Sequence, residues 1–322
     1  MMLPNWAALA PGTPYWLTTE VPTIQPEWPA ILHLAQTAEE VGFDNLWLVD
    51  HFQIRVDPVN VQFGRPPMPA PLDGQEIGVM DCWTLMGALA AATTQVTLGP
   101  LVSCMSYRNP AVLAKIAATV DSISNGRVIL GIGAGDFEEE HAQFGAHWDR
   151  RISQFEEGLQ ILVPLLRTGH VDFAGAFYKA ANCTLSPAPA RPGGPPILIG
   201  ALGHGPRMLR LVAQYADAWN AFIATGESSP AVIPAYQQML DDACRAIGRD
   251  PATLKRTVTV GVTFGNRTIW GASPITGSAR QIADVFLAFH DEGIEQLSVF
   301  MNPMTEDGIM QMAEVIRLCK AA

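Results

Sequence analysis

Short apolar runs alternate along the chain with longer segments in which apolar residues recur every three or four positions. Runs at 15–18, 45–49, 96–102, 127–131, 197–200, 218–222, 257–263 and 296–300 read as strands. Leu46-Trp47-Leu48-Val49 and Ile197-Leu198-Ile199 are apolar at every position, the pattern of parallel strands covered on both faces. The intervening segments are helical. Ile31, Leu34, Ala35, Ala38 and Val41 share a face before Gly42, and Ile309, Met312, Ala313 and Ile316 do so near the end. Val112, Ile116, Val120 and Ile123 follow Asn109-Pro110, a capping residue with proline at the first helical position, and Asn125-Gly126 ends that helix. Eight such alternations without a break in composition predict one α/β domain over residues 1–322. Its architecture is expected to be a (β/α)8 TIM barrel, with insertions after strands 2, 4 and 7, and not an open doubly wound sheet.

The insertions interrupt the rhythm. Residues 52–79 hold Pro58, Pro66, Pro67, Pro69 and Pro71, and residues 265–277 hold Trp270. Both follow strand ends on the face where barrel enzymes carry their sites, so both are candidate lid loops, with Phe63, Met68 and Trp270 as candidate pocket walls. Residues 171–174 and 177–180 look like a peripheral hairpin after the fourth strand.

Composition narrows the function. With 322 residues, 48% hydrophobic and 16% charged, the chain can bury about three quarters of its surface without disulfide or metal staples. Twenty Lys and Arg against 31 Asp and Glu give a net charge of −11, which argues against a partner bound through its phosphate backbone. No apolar run approaches membrane length, and Met1-Met2-Leu3-Pro4 carries no basic leader. Cys82, Cys104, Cys183, Cys244 and Cys319 are widely spaced and read as reduced thiols in a cytoplasmic protein. A small-molecule substrate is the expectation, with no nucleic acid and no membrane.

Three segments could carry chemistry. Asp50-His51-Phe52 closes the second strand, where an imidazole suits proton exchange near neutral pH; the alternative is a structural pair, Asp50 capping a loop and His51 a bonded core histidine. Gly131-Ile132-Gly133-Ala134-Gly135-Asp136 closes the fourth strand. It departs from the dinucleotide fingerprint, since Asp136 stands at the sixth position. Its glycines would let a planar ligand approach the backbone; taken alone it reads as a glycine-relaxed strand end before an acidic helix start, Glu138-Glu139-Glu140. Gly200-Ala201-Leu202-Gly203-His204-Gly205-Pro206 enters a helix and offers free N–H groups to a phosphate, with Thr225-Gly226 able to extend the cradle. Metal-ligand spacings such as H-E-x-x-H are absent, and so is the G-x-S-x-G nucleophile elbow.

In this order the segments resemble the luciferase-like family of flavin- and deazaflavin-dependent oxidoreductases. The resemblance is carried by Val41-Gly42-Phe43-Asp44 through Asp50-His51-Phe52, by Leu98-Gly99-Pro100, Tyr107-Arg108-Asn109-Pro110-Ala111 and Leu130 to Gly135, and by Tyr215-Ala216-Asp217-Ala218-Trp219-Asn220. It implies a barrel carrying coenzyme F420 or FMN across its mouth, with a non-proline cis peptide at Leu101–Val102 beneath the ring. It also implies Gly133, Ala134 and Gly135 beside that ring, and a phosphate cradle at Gly203, His204, Gly205, Thr225 and Gly226. His51 and Asp136 become the proton-exchanging residues, with Asp50 orienting His51. Asp136 stands where the sugar dehydrogenases of the family have glutamate, and Glu227 stands where a lysine would help an anionic tail. The deazaflavin branch fits best, as a hydride-transferring enzyme. The alternatives are an FMN monooxygenase supplied by a separate flavin reductase, and a non-catalytic flavin-binding protein. Family habit adds a homodimer.

Overall fold

This computed structural model describes residues 1–2, 27–56, 75–201, 205–224, 226–265 and 273–322, the side chains of 53–56 and 75–78 excepted. In chain order the elements are α1 (Trp28–Glu40), β1 (Asn45–Leu48), β2 (Gln53–Val56), β3 (Gln75–Gly78), α2 (Cys82–Ala92), β4 (Thr97–Pro100), β5 (Ser103–Cys104), α3 (Pro110–Ile123), β6 (Leu130–Gly133), α4 (Glu138–Gln143) and α5 (Arg151–Thr168). They continue with β7 (His170–Ala174), β8 (Lys179–Thr184), β9 (Ile197–Gly200), α6 (Pro206–Tyr215), β10 (Ala218–Phe222), α7 (Ile233–Ala246), β11 (Lys255–Thr263), β12 (Ile275–Thr276), α8 (Ala279–Asp291), β13 (Gln296–Asn302) and α9 (Glu306–Lys320).

The strands form the parallel ring of a TIM barrel. β5 pairs with β6, β6 with β9, β9 with β10, β10 with β11 and β11 with β13, all parallel, while β1 pairs with β4 and a Leu98–Val128 bridge joins β4 to the start of the β6 lane. Met2 closes the ring: its N–H donates to Val299 O at 3.1 Å, and Trp47 N–H donates to Met1 O at 2.8 Å. The lane that the hydrophobic pattern assigns to residues 15–18 is therefore held by Met1 and Met2, both buried, and 15–18 lie outside the described residues. The fourth strand runs to Gly133, two residues past the predicted end, because its pairing with β5 reaches Cys104.

Local chemistry explains the punctuation. Asn109 Oδ1 accepts the Ala111 N–H at 2.9 Å with Pro110 at the first turn, and Ser278 and Gln281 close a reciprocal capping box on α8. Most buried apolar side chains pack between strands and helices. A smaller cluster of Met2, Trp47, Leu101, Leu198, Ala218 and Phe300 fills the barrel interior.

The insertions take the expected places. β2 and β3 form an antiparallel ribbon inside 52–79, with Gln53 opposite Gly78. β7 and β8 form the peripheral hairpin, whose turn is tied to α5 by Glu157 accepting the Ala176 and Phe177 N–H groups at 2.9 and 2.8 Å. β12 lies along the end of β11. Phe63, Met68 and Trp270 lie outside the described residues. Cys82, Cys104 and Cys244 are buried free thiols, whereas Cys183 and Cys319 are half-buried. No described helix is long and apolar enough to cross a membrane.

Candidate active site

The apolar run of β1 drives Leu46, Trp47 and Leu48 inside, and the chain leaves the barrel at its carboxyl end through Val49, Asp50 and His51. Successive residues of an extended strand point to opposite sides. Asp50 and His51 accordingly serve different networks, and this corrects the expectation that Asp50 orients His51. The Asp50 carboxylate takes a two-pronged pair from Arg108, Nη1 to Oδ2 at 2.6 Å and Nη2 to Oδ1 at 3.0 Å, and accepts Ser103 Oγ at 2.5 Å. Ser103 Oγ in turn accepts the Trp83 indole N–H at 3.1 Å, and Arg108 also reaches Asp81 at 2.9 Å. Asp50 thus locks the end of β1 to β5 and to the start of α2.

Glu140 is the residue that orients His51. Its Oε2 lies 2.8 Å from His51 Nδ1, and its carboxylate also accepts the Tyr107 hydroxyl and the Phe52 N–H. Phe137 meets the His51 ring edge-on, with centroids 5.0 Å apart. Burial opposes a charged imidazolium, but the Glu140 hydrogen bond and the charges of Asp136, Glu140 and Asp50 outweigh it and raise His51 to about 9. The raised value keeps the His51 ring charged at neutral pH, with Nδ1 committed to Glu140 and no hydrogen bond to Nε2 among the described residues. Burial, then the neighbouring Cys104 and Glu140, push the Tyr107 hydroxyl up, so it remains a donor. Burial likewise pushes the Cys104 thiol up to about 12, which leaves it inert as a nucleophile.

Glu140 escapes a reading of the sequence because it is the last of three consecutive glutamates. Glu138 and Glu139 are exposed, and Glu140 is 3% exposed. No signal in the sequence separates the three, because a helix of six residues is too short for phase to choose among them. Tyr107 and Arg108 were seen only as part of a resemblance.

The glycine run has an intramolecular reason. A Cβ on Gly131 would meet Pro100 O at 2.1 Å, and one on Gly133 would meet Val102 Cγ2 at 2.7 Å. One on Gly200 would meet Val102 Cγ1 at 3.0 Å. These glycines clear room for the Leu101–Val102 segment, whose peptide is cis as the resemblance implied. Gly135, at φ +90°, lets the chain turn against His141 and Cys104. Ala134 and Asp136 stand half-buried beside them.

At the next strand end, Gly205 caps α6 with no side chain on its first-turn N–H groups and Pro206 at the first position, and a Cβ on Gly205 would meet nothing within 4 Å. Arg207 and Arg210 in the opening turns of α6 both reach Glu156 of α5, at 2.5 and 2.6 Å. Gly226 is described and exposed, whereas Gly203, His204 and Thr225 lie outside the described residues.

Comparisons with known proteins bear on the family and the fold. The model of the family described as luciferase-like monooxygenase matches residues 9–268. A phthiodiolone/phenolphthiodiolone dimycocerosates ketoreductase of Mycobacterium tuberculosis is 30% identical over 246 residues, 75% of this chain; the match spans 62% of that relative's length. An F420-dependent glucose-6-phosphate dehydrogenase of Amycolatopsis mediterranei is 29% identical over 267 residues, 78% of this chain and 72% of its own length. Among solved structures, an F420-dependent secondary alcohol dehydrogenase in complex with an F420-acetone adduct superposes with a TM-score of 0.73 at 20% identity. That superposition covers 90% of this chain and 94% of the other.

Proposed function

The chain belongs to the luciferase-like monooxygenase family, and from that premise we propose that this enzyme is an F420-dependent oxidoreductase that interconverts a small carbonyl compound and its alcohol. The observation that carries the reading is the His51–Glu140 pair at the mouth of the barrel. When a carbonyl carbon takes up hydride, its oxygen develops negative charge and needs a proton. A histidine held cationic above neutral pH, with one nitrogen fixed by a buried carboxylate, supplies that proton. Tyr107 and the Phe52 N–H hold Glu140 in turn, so the donor is preorganised. The resting charge state serves carbonyl reduction; alcohol oxidation begins only after His51 loses its proton.

The residues suit a deazaflavin. Leu101, Val102 and Ala134 offer an apolar floor at the strand ends, and Gly205 and the uncapped start of α6 offer backbone N–H groups to a phosphate in open space. Bound there, the deazaflavin supplies a carbon that exchanges hydride and reacts poorly with oxygen. Asp136, whose charge acts on His51, completes the acidic side of the mouth. The names of the relatives, a ketoreductase and two F420-dependent dehydrogenases, support carbonyl–alcohol chemistry. The family model's own description, a monooxygenase, keeps monooxygenation as the second reading, for which FMN would be the cofactor.

The test is oxidation of reduced F420 by a panel of ketones and aldehydes, with His51→Ala beside the parent. The substitution is expected to lower turnover by about 10²–10⁴-fold, with cofactor affinity within threefold. Turnover within a few-fold of the parent would remove His51 from the mechanism. Oxygen consumption coupled to product with reduced FMN, and none of the F420 reaction, would replace the proposal by the monooxygenase reading.

A further inference from the structure

Behind the His51 pair lies a second imidazole that the proposed chemistry does not use. His141 is fully buried on α4, next in sequence to Glu140. Its Nδ1 lies 2.6 Å from the carbonyl of Phe137, so Nδ1 carries a proton and donates. Its Nε2 lies 2.8 Å from Ser106 Oγ and 3.7 Å from Cys104 Sγ; in the neutral tautomer it accepts the Ser106 hydroxyl. Tyr107 packs on the ring at 4.8 Å and Trp148 meets it edge-on at 5.1 Å. Gly135 approaches so closely that a Cβ there would lie 2.7 Å from His141 Cε1.

These contacts share one property. Gly135 and Phe137 flank Asp136, Ser106 precedes Tyr107, and His141 itself follows Glu140. The buried ring therefore touches a chain neighbour of each group that charges or holds His51 from this side of the mouth. α4 has only six residues and no side-chain cap at its start, so its own hydrogen bonds cannot define its position. A ring fixed at both nitrogens can.

We propose that His141 is a positioning residue: its imidazole, held between the Phe137 carbonyl and the Ser106 hydroxyl, sets α4 and the Gly135–Asp136 turn in the register that brings Glu140 onto His51 Nδ1. The inference rests on the proposed role of His51, but it is about geometry present without any cofactor. Its test therefore reads His51 directly.

The experiment is a ring-15N NMR titration of the histidines in the cofactor-free full chain, for the parent, His141→Phe, His141→Gln and Ser106→Ala. Phe keeps the ring contacts and removes both hydrogen bonds; Gln keeps a polar group able to reach Ser106. The charged and titratable groups facing His51 are Glu140, Asp136 and Asp50, and those around His141 are Cys104 and Tyr107; all remain in every variant. In His141→Phe the His51 midpoint is expected to fall by at least one pH unit, a tenfold change in proton affinity. His141→Gln is expected to recover part of it, and Ser106→Ala to move it in the same direction as Phe by a smaller amount. If the variants are folded and His51 titrates within 0.3 units of the parent in all of them, on the order of a twofold change, the proposal is overturned. Should His141→Phe fail to fold, Ser106→Ala decides: an unmoved His51 midpoint there overturns it as well. Absence of F420 turnover in the parent, with the NMR pattern as expected, counts against the proposed function and not against the positioning role.

Discussion

Replacing Glu140 by glutamine isolates the electrostatic core of the site. The parent carboxylate receives His51 Nδ1, the Tyr107 hydroxyl and the Phe52 N–H. An amide of the same shape has one acceptor oxygen and turns two hydrogens toward these donors. The rise of His51 from 6.5 to about 9 corresponds to roughly 3 kcal/mol of preference for the charged ring at about 1.36 kcal/mol per unit. Asp136 and Asp50 persist in the variant and retain a share, so Glu140→Gln should lose about 1–2 kcal/mol of it. The sign follows from linkage. A midpoint raised on folding adds stability that is complete below about 6.5 and is lost as pH climbs through about 9. The stability gap between parent and variant should accordingly be widest near pH 6 and narrow toward pH 10. Urea unfolding at half-unit pH steps, together with the NMR midpoint of His51, measures both quantities. The rate of carbonyl reduction should fall on the alkaline side at about 9 in the parent and at a lower pH in the variant. A variant in which His51 still titrates near 9, or a stability gap independent of pH, would refute the assignment of Glu140 as the partner that charges His51.

Other outcomes follow from the same geometry. Asp50→Asn breaks a buried two-pronged pair with Arg108 and should cost about 3–5 kcal/mol in denaturant unfolding; a His51 midpoint moving by more than the Glu140→Gln effect would reverse the division of labour between the two acids. Gly131→Ala drives a Cβ against the Pro100 carbonyl, a backbone atom, and should abolish soluble folded protein or lower stability by several kcal/mol. Gly205→Ala meets open space at φ −62° and should leave stability within about 0.5 kcal/mol; a thermal melt separates these two glycines at once.

The barrel was legible because burial on both faces writes itself as continuous apolar runs: β1 and β9 lie where those runs stand, β10 and β11 lie within runs read as strands, and the cap at Asn109 uses ordinary local chemistry. The first strand was not legible in the same way. Two methionines suffice to bridge β1 and β13, and no pattern emerges from two residues. In the site, His51 stood out by following an apolar strand, and the cis peptide came only through resemblance. Asp50 was given the wrong partner because adjacency in sequence was taken for adjacency in space, which an extended chain denies. Glu140 and His141 depended on the phase of a helix of six residues, too short for periodicity to declare which of three glutamates turns inward. The glycines at 131 and 133 were read as room for a ligand, and their first neighbours are the chain's own Pro100 carbonyl and Val102 side chain.

The most direct measurement is a side-by-side fluorescence titration of the cofactor-free protein with F420 and with FMN, each oxidised and reduced. Preference for F420 by tenfold or more, about 1.4 kcal/mol, is the expected result. Preference for reduced FMN by the same margin, or binding of neither, would contradict the account.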